Sequence, residues 1–522
     1  MRGSARRQLP ARQRGIALLA LMALFSVVVL FAFISGLNRS ASSLAQTRAL
    51  ATPTALAQAK EALIAYAVTY KDTHDTFTSY NVPGYLPCPD MGPTNNVEGT
   101  AASGSPYCGA FLVSVMGKLP WKTLGLDTLR DGSGECLWYA VSGAYKNNPN
   151  GVGTTNANMM NWDTNGQFKV FDTDGATLLT GSSADNQAVA VIFAPGAPHS
   201  GQNRAAVAGT ENCGGNYTAA AYLDTANGIN NSTLVTPSSP GAVTDVSSFI
   251  AGAASATFND QLVYITRADI WNAIKKRSDF NNNLRALTRR AAQCVKTYGT
   301  NNGGGANDRR LPWAAAVAMS SLDRYAVNRR YRDISNTDAG RLADRVDDSA
   351  RNYNPKNLLT SYTEFGYTGY LLFTENVSYC AYTKEEKIWY DNWKDHLFYG
   401  VANKYNPSAS QPTAGCTSTT CLKISDGVNT YSNYAAVVIF AGEKLSTQNR
   451  NTLSEKSQIS NYLEGSNTSA NASGNNTYLG GGASSTFNDF VYAISETTLA
   501  VSCYDAASGT MIAAPSPSAA CP

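Results

Sequence analysis

The hydrophobic pattern opens with an unbroken apolar run. From residue 16 to residue 34 no side chain is charged, and thirteen of the nineteen are Leu, Ile, Val or Phe. A helix of that length spans about 28 Å, close to the thickness of a bilayer's hydrocarbon core. On insertion scales the run favours lipid by about 4–8 kcal/mol. It therefore predicts a membrane-spanning helix. The rhythm then changes: in "TALAQAKEALIAYAVTY", Leu56, Ala59, Leu63, Tyr66 and Tyr70 recur at intervals of three and four. That period marks one apolar face of an amphipathic helix over 54–70, with Pro53 expected to kink or break the path from the first helix. A second amphipathic helix is expected near 284–298, "LRALTRRAAQCVKTY". The short runs "AVAVIFA" and "AAVVIFA" are uniformly apolar and β-branched, as strands covered on both faces are. "LVYIT" and "FVYAIS" read as further strands, and residues 266–284 as a helical connector, since no Gly/Ser tether occurs there.

The pattern also repeats. "VIFAPGAPHSGQNR" (191–204) returns as "VIFAGEKLSTQNR" (438–450), "YLD" (222–224) as "YLE" (462–464), and "ATFNDQLVYI" (256–265) as "STFNDFVYAI" (485–494). Upstream, "LWYAVSGAY" (137–145) corresponds to "LFYGVANKY" (397–405), and Leu86-Pro87 to Leu311-Pro312. Blocks kept in one order over such lengths indicate tandem duplication. Helix-then-strands twice over predicts an α+β fold: a long N-terminal membrane-spanning helix followed by two duplicated heads, each a helix with an antiparallel sheet. The corresponding boundaries are a basic leader at 1–15, the N-terminal helix at 16–52, a first repeat at 53–275 and a second at 276–522, closed by a Cys-bounded tail.

Charge gives the apolar run a direction. Arg2, Arg6, Arg7, Arg12 and Arg14 precede it, and the first acidic residue is Glu61. Basic residues stay cytoplasmic, so a single pass through a bacterial inner membrane with the body outside is expected. The formal net charge of +3 on 522 residues is too balanced to suggest nucleic acid as a partner. Ten cysteines are present: Cys88, Cys108, Cys136, Cys213, Cys294, Cys380, Cys416, Cys421, Cys503 and Cys521. With three histidines and no CxxC spacing, disulfides are a better reading than zinc. Neighbours in the chain are the first pairing to expect, with Cys503 and Cys521 closing the tail.

A basic leader, then Gly15, then an apolar helix starting at Ile16 resembles the class III signal of type IV prepilins and type II secretion pseudopilins. The resemblance implies cleavage between Gly15 and Ile16 by a prepilin peptidase, retention of the helix, and packing with other pilins or pseudopilins in a filament. Ala20 stands where most pilins carry the Glu that pairs with a neighbour's amine, which points to a minor pilin at a tip or priming position. The stretch "LPWKTLGLDTLRDGSGECLWYAV" (119–141) resembles uncharacterised proteobacterial prepilin-like proteins.

Catalytic motifs are missing: no GxSxG, HExxH, Walker A or kinase set occurs, so neither an enzyme nor a cofactor is expected. "NNGGGAND" (301–308) lacks the GK[ST] of a phosphate loop. His74, His199 and His396 sit in unrelated contexts and are expected at the surface or in turns. Asp172 and Asp174 in "DTDGAT", and Asp163 and Asn165 in "DTNGQ", offer spaced oxygens for calcium but lead to no bidentate Glu. The competing classes are a surface adhesin, suggested by twenty-eight tyrosines, and an anchored periplasmic enzyme.

Overall fold

The computed structural model describes residues 49–74, 82–93, 97–102, 108–109, 112–146, 159–235, 246–301, 309–318, 329–346, 360–364, 367–373, 380–409, 415–417, 419–469 and 476–513. A helix over 49–73 (α1) continues through Pro53 without a break. Its buried face is Ala55, Leu56, Ala59, Leu63, Ala67 and Tyr70, while Tyr66 lies at the margin.

The first half then folds β1 (Val115–Lys118), β2 (Trp138–Val141), β3 (Phe168–Phe171), β4 (Leu178–Thr180), β5 (Ala188–Ala194), β6 (Thr225–Ala226), β7 (Ile229–Asn230), β8 (Ser247–Ile250) and β9 (Gln261–Thr266). The connector is α2 (Arg267–Ile274), whose Thr266 and Asp269 form a capping box. It leads into α3 (Phe280–Asn301). The second half contains β10 (Ala339–Arg341), β11 (Arg345–Val346), β12 (Thr360–Glu364), β13 (Tyr367–Leu371), α4 (Lys384–Trp393), β14 (Leu397–Val401), β15 (Leu422–Ser425) and β16 (Thr430–Phe440). The last elements are α5 (Leu453–Lys456), β17 (Thr477–Leu479), β18 (Phe490–Ser495), β19 (Val501–Asp505) and β20 (Thr510–Ala513).

The two large sheets share a topology. β1-β2-β5-β9 and β10-β14-β16-β18 are antiparallel ladders in the same chain order. Each central strand also pairs with a flanking strand, β3 or β15, that carries a parallel neighbour, β8 or β17. The expected all-apolar strands are these central ones: β5 is buried throughout and β16 over its last seven residues. Even the Leu-Pro turns coincide. Leu86 N–H donates to Tyr145 O (2.8 Å) and Leu311 N–H to Tyr405 O (2.7 Å), while the Tyr139 and Tyr399 hydroxyls donate to the carbonyls of Pro87 and Pro312.

Two expectations need correction. Among the described residues strands outnumber α-helices by twenty to five, so the α+β class does not describe them. The two halves share one apolar cluster, fed by α1 to α4 and both sheets. Its centre is an aromatic knot in which Trp162, Trp271, Phe280, Trp389, Trp393 and Phe440 meet at centroid distances of 4.5–6.4 Å. Finally, no helix among the described residues is long and apolar enough to cross a membrane, and residues 16–34 lie outside them, as do Gly15, Ile16 and Ala20. The single-pass inner-membrane placement is withdrawn on that finding.

Four disulfides join cysteines adjacent in chain order: Cys88–Cys108, Cys136–Cys213, Cys294–Cys380 and Cys416–Cys421. Cys503 is disulfide-bonded as well, and Cys521 lies outside the described residues. Such a set points to an oxidising, non-cytoplasmic compartment.

Candidate functional site

The "QNR" of each repeat builds the same polar module. Gln202 Nε2 donates to Asp224 Oδ1 and Gln448 Nε2 to Glu464 Oε1, both at 2.8 Å. The guanidinium of Arg204 donates to the carbonyls of Gly196 and Ala221, and that of Arg450 to those of Gly442 and Asn461. Each stacks on the tyrosine of the next block, Tyr222 at 4.7 Å and Tyr462 at 4.4 Å. Asn259 and Asn488, from the "FND" blocks, lock the module by donating to the carbonyls of Ala197 and Glu443. The repeated motif is thus a clamp that holds the loop after the central strand.

Close approach is part of that clamp. A Cβ on Gly442 would lie 2.6 Å from the carbonyl oxygen of Asn488, which backbone cannot yield cheaply. Gly442→Ala is expected to lower stability by about 1–3 kcal/mol, measured by urea unfolding. A cost under about 0.5 kcal/mol, the level of an ordinary surface change, would show that the loop yields freely.

The two clamps differ in their acids. In the first half Glu135 supplies the carboxylate to Arg204 at 3.1 Å, and the next residue, Cys136, is bridged to Cys213. In the aligned second half the same pair is Asp395-His396. There Arg450 turns to Asp163, from the first half, at 3.2 Å. His396 Nε2 lies 3.0 Å from Asp163 Oδ2, and Nδ1 lies 2.8 Å from Asp395 Oδ1. Trp162 Nε1 donates to His396 Nε2 at 2.9 Å. That nitrogen serves one neighbour at a time, accepting from Trp162 when neutral or donating to Asp163 when charged.

Every member is sealed, with His396, Asp395 and Asp163 no more than 3% exposed. Burial pushes the Asp163 carboxyl up, but Arg450 and His396 outweigh it and hold it well below the usual carboxylate range. Asp395 is likewise lowered against its burial, by His396, Lys456 and Arg341. Around this core the seam is hydrogen-bonded across the halves. Met160 N–H donates to Asn392 Oδ1 at 2.9 Å, Asn161 Nδ2 to Asn392 O at 2.8 Å, and Asn165 Nδ2 to Asn451 Oδ1 at 3.1 Å. Lys275 pairs with Glu443, and Lys444 with Asp185.

Asp163, Asp395 and His396 bring three ligand atoms within 4.8 Å of one another. The set does not suit a metal. Arg450 already occupies Asp163 Oδ2, Trp162 points its N–H at His396 Nε2, and both would face an incoming cation. It does not suit a general base either, because no solvent reaches the imidazole. What the arrangement does is join the halves electrostatically.

Of the residues singled out by sequence, His396 was expected at the surface or in a turn and is wholly buried. His199 packs against Asp224, with Nε2 and Oδ2 3.3 Å apart. Asp172 and Asp174 form a turn: Asp174 Oδ1 accepts from the N–H groups of Ala176 and Thr177, and Asp172 Oδ1 from that of Thr173. They are not joined to Asp163 in any hydrogen bond or ion pair described. Sequence reasoning missed the Trp162–Asp163–Asp395–His396–Arg450 constellation. One readable trace exists, the replacement of Glu135-Cys136 by Asp395-His396 next to an aligned block.

Compared with known proteins, the chain matches no family model, no curated protein and no solved structure.

Proposed function

We propose that the chain is a structural subunit of the minor-pilin or pseudopilin kind, acting by assembly rather than by catalysis. The observation that carries this reading is the order of basic leader, Gly15 and uninterrupted apolar run beginning at Ile16. The body behind that run supports it in two ways. The helix over 49–73 inserts its Ala55–Tyr70 face into the common core, so force on the N-terminal segment passes directly into the body. The polar constellation at the seam is sealed and ties the two halves together through Asp163, His396 and Arg450, which suits a part that transmits force. Ala20 in place of the usual acid favours a sparse position in a filament over a bulk one.

The test is the mature N-terminus of the protein isolated from its host. Mass spectrometry is expected to find Ile16 first, with a methylated amine. An N-terminus at Met1, or near Gln46, would overturn the reading.

A further inference from the structure

Each half buries a pair of carboxyl groups in its clamp. Asp260 and Asp489, the last residues of the two "FND" triplets, are 1% and 3% exposed. Oδ2 of Asp260 accepts from Asp224 N–H at 2.8 Å and Asn231 Nδ2 at 3.0 Å. Oδ2 of Asp489 accepts from Glu464 N–H at 3.3 Å and Asn467 Nδ2 at 2.9 Å. The other oxygen, Oδ1, has no hydrogen-bond partner in either half.

Each oxygen of the companion acids accepts one hydrogen bond, which leaves lone pairs for a further donor. Asp224 accepts from Gln202 and Asn259 N–H, with His199 beside it. Glu464 accepts from Gln448 and Asn488 N–H. Charged neighbours offer little relief. Asp260 faces Asp224 and Arg204, which is already paired with Glu135, while Asp489 faces Glu464, with the half-buried Arg285 lining the same small cavity. A bare carboxylate oxygen beside a second carboxylate, out of water, is costly in both halves alike. A proton on Oδ1 removes one charge and turns the bare oxygen into a donor.

We propose that Asp260 and Asp489 each hold a proton on Oδ1 in the folded chain at mildly acidic to neutral pH, so that each pair carries one negative charge and folding draws protons from solvent. Burial, with Asp224, pushes Asp260 up to about 7. Burial, with Glu464, raises Asp489 well above its ordinary value. Because both are raised, their contribution to stability is complete below the ordinary carboxylate range. It is lost as pH rises through the folded value, which for Asp260 means from about 4 to about 7. Lys146 and Lys394, lowered by burial to about 7 and about 8, act in the opposite direction above neutrality. The test must therefore be a difference between variants.

The experiment is urea unfolding of the full chain at about pH 5, 6 and 7, for wild type, Asp260→Asn and Asp489→Asn. An amide copies the protonated acid. The wild type should gain stability as pH falls, by up to about tenfold in the unfolding constant per pH unit for each group, and each variant should lose its share of that slope. Infrared difference spectra of the folded wild type should also show the carbonyl band of a protonated carboxylic acid, which serves where a variant fails to fold. An unchanged slope in both variants, or absence of the band at about pH 6, would overturn the proposal. So would stabilisation of wild type but not of the variants by added calcium, since the bare oxygens would then be cation ligands.

Discussion

Replacing Arg450 by methionine is expected to cost about 3–5 kcal/mol of stability, a large share of the roughly 5–15 kcal/mol typical of a folded domain. The loss comes less from the guanidinium than from what it leaves behind. Asp163 is 3% exposed, and its carboxylate stays low only because Arg450 and His396 outweigh its burial. The duplication supplies an internal control. Arg204 makes the same carbonyl contacts and the same tyrosine stack, but its acid, Glu135, has a side chain 24% exposed and can turn to water. Arg204→Met should therefore cost about 1–3 kcal/mol. Urea midpoints of the two variants check the order, and a larger loss at Arg204 would refute the role given to the seam. Adding Asp163→Asn to Arg450→Met should recover part of the loss, because the pair is then removed rather than broken.

The seam was hard to read because its members lie apart in the chain and outside any shared pattern. Trp162 and His396 are 234 residues apart, and "NWDTNG" falls in a stretch with no repeat partner. Periodicity works where one face of one element is buried, so Leu56, Ala59, Leu63 and Tyr70 gave α1, and the uniform runs gave the two central strands. It says nothing about which faces meet. The heads read as separate because each repeat carries a complete set of strands. Their shared cluster joins them through aromatic side chains at the junction, such as Trp162 and Trp271 against Trp393. His396 was misjudged for a related reason: a lone histidine beside a strand is usually superficial, and only alignment against Cys136 marks its position as interior. The paired acids were invisible individually, since Asp260 and Asp489 look like turn residues after Asn.

Removing the Cys294–Cys380 bridge is expected to rival the loss of Arg450. The bridge closes 86 residues, which in the chain-entropy account corresponds to about 4–5 kcal/mol, against about 2 kcal/mol for the five-residue loop of Cys416–Cys421. Its position adds to the difference. Cys294 is fully buried on α3 and Cys380 is 1% exposed just ahead of α4, so the bridge ties together helices that both line the aromatic knot. Cys416–Cys421 spans an exposed turn before β15. The paired variants Cys294→Ala/Cys380→Ala and Cys416→Ala/Cys421→Ala separate these effects, because alanine leaves no thiol to mispair. The first should shift the urea midpoint by roughly twice as much as the second. It should also make the seam tryptophans accessible to a soluble quencher at denaturant concentrations the wild type resists. Equal shifts would mean that the bridge merely decorates a core already complete without it. The ordering also bears on where the chain can fold: one that needs Cys294–Cys380 to hold α3 against α4 reaches this structure only in an oxidising compartment.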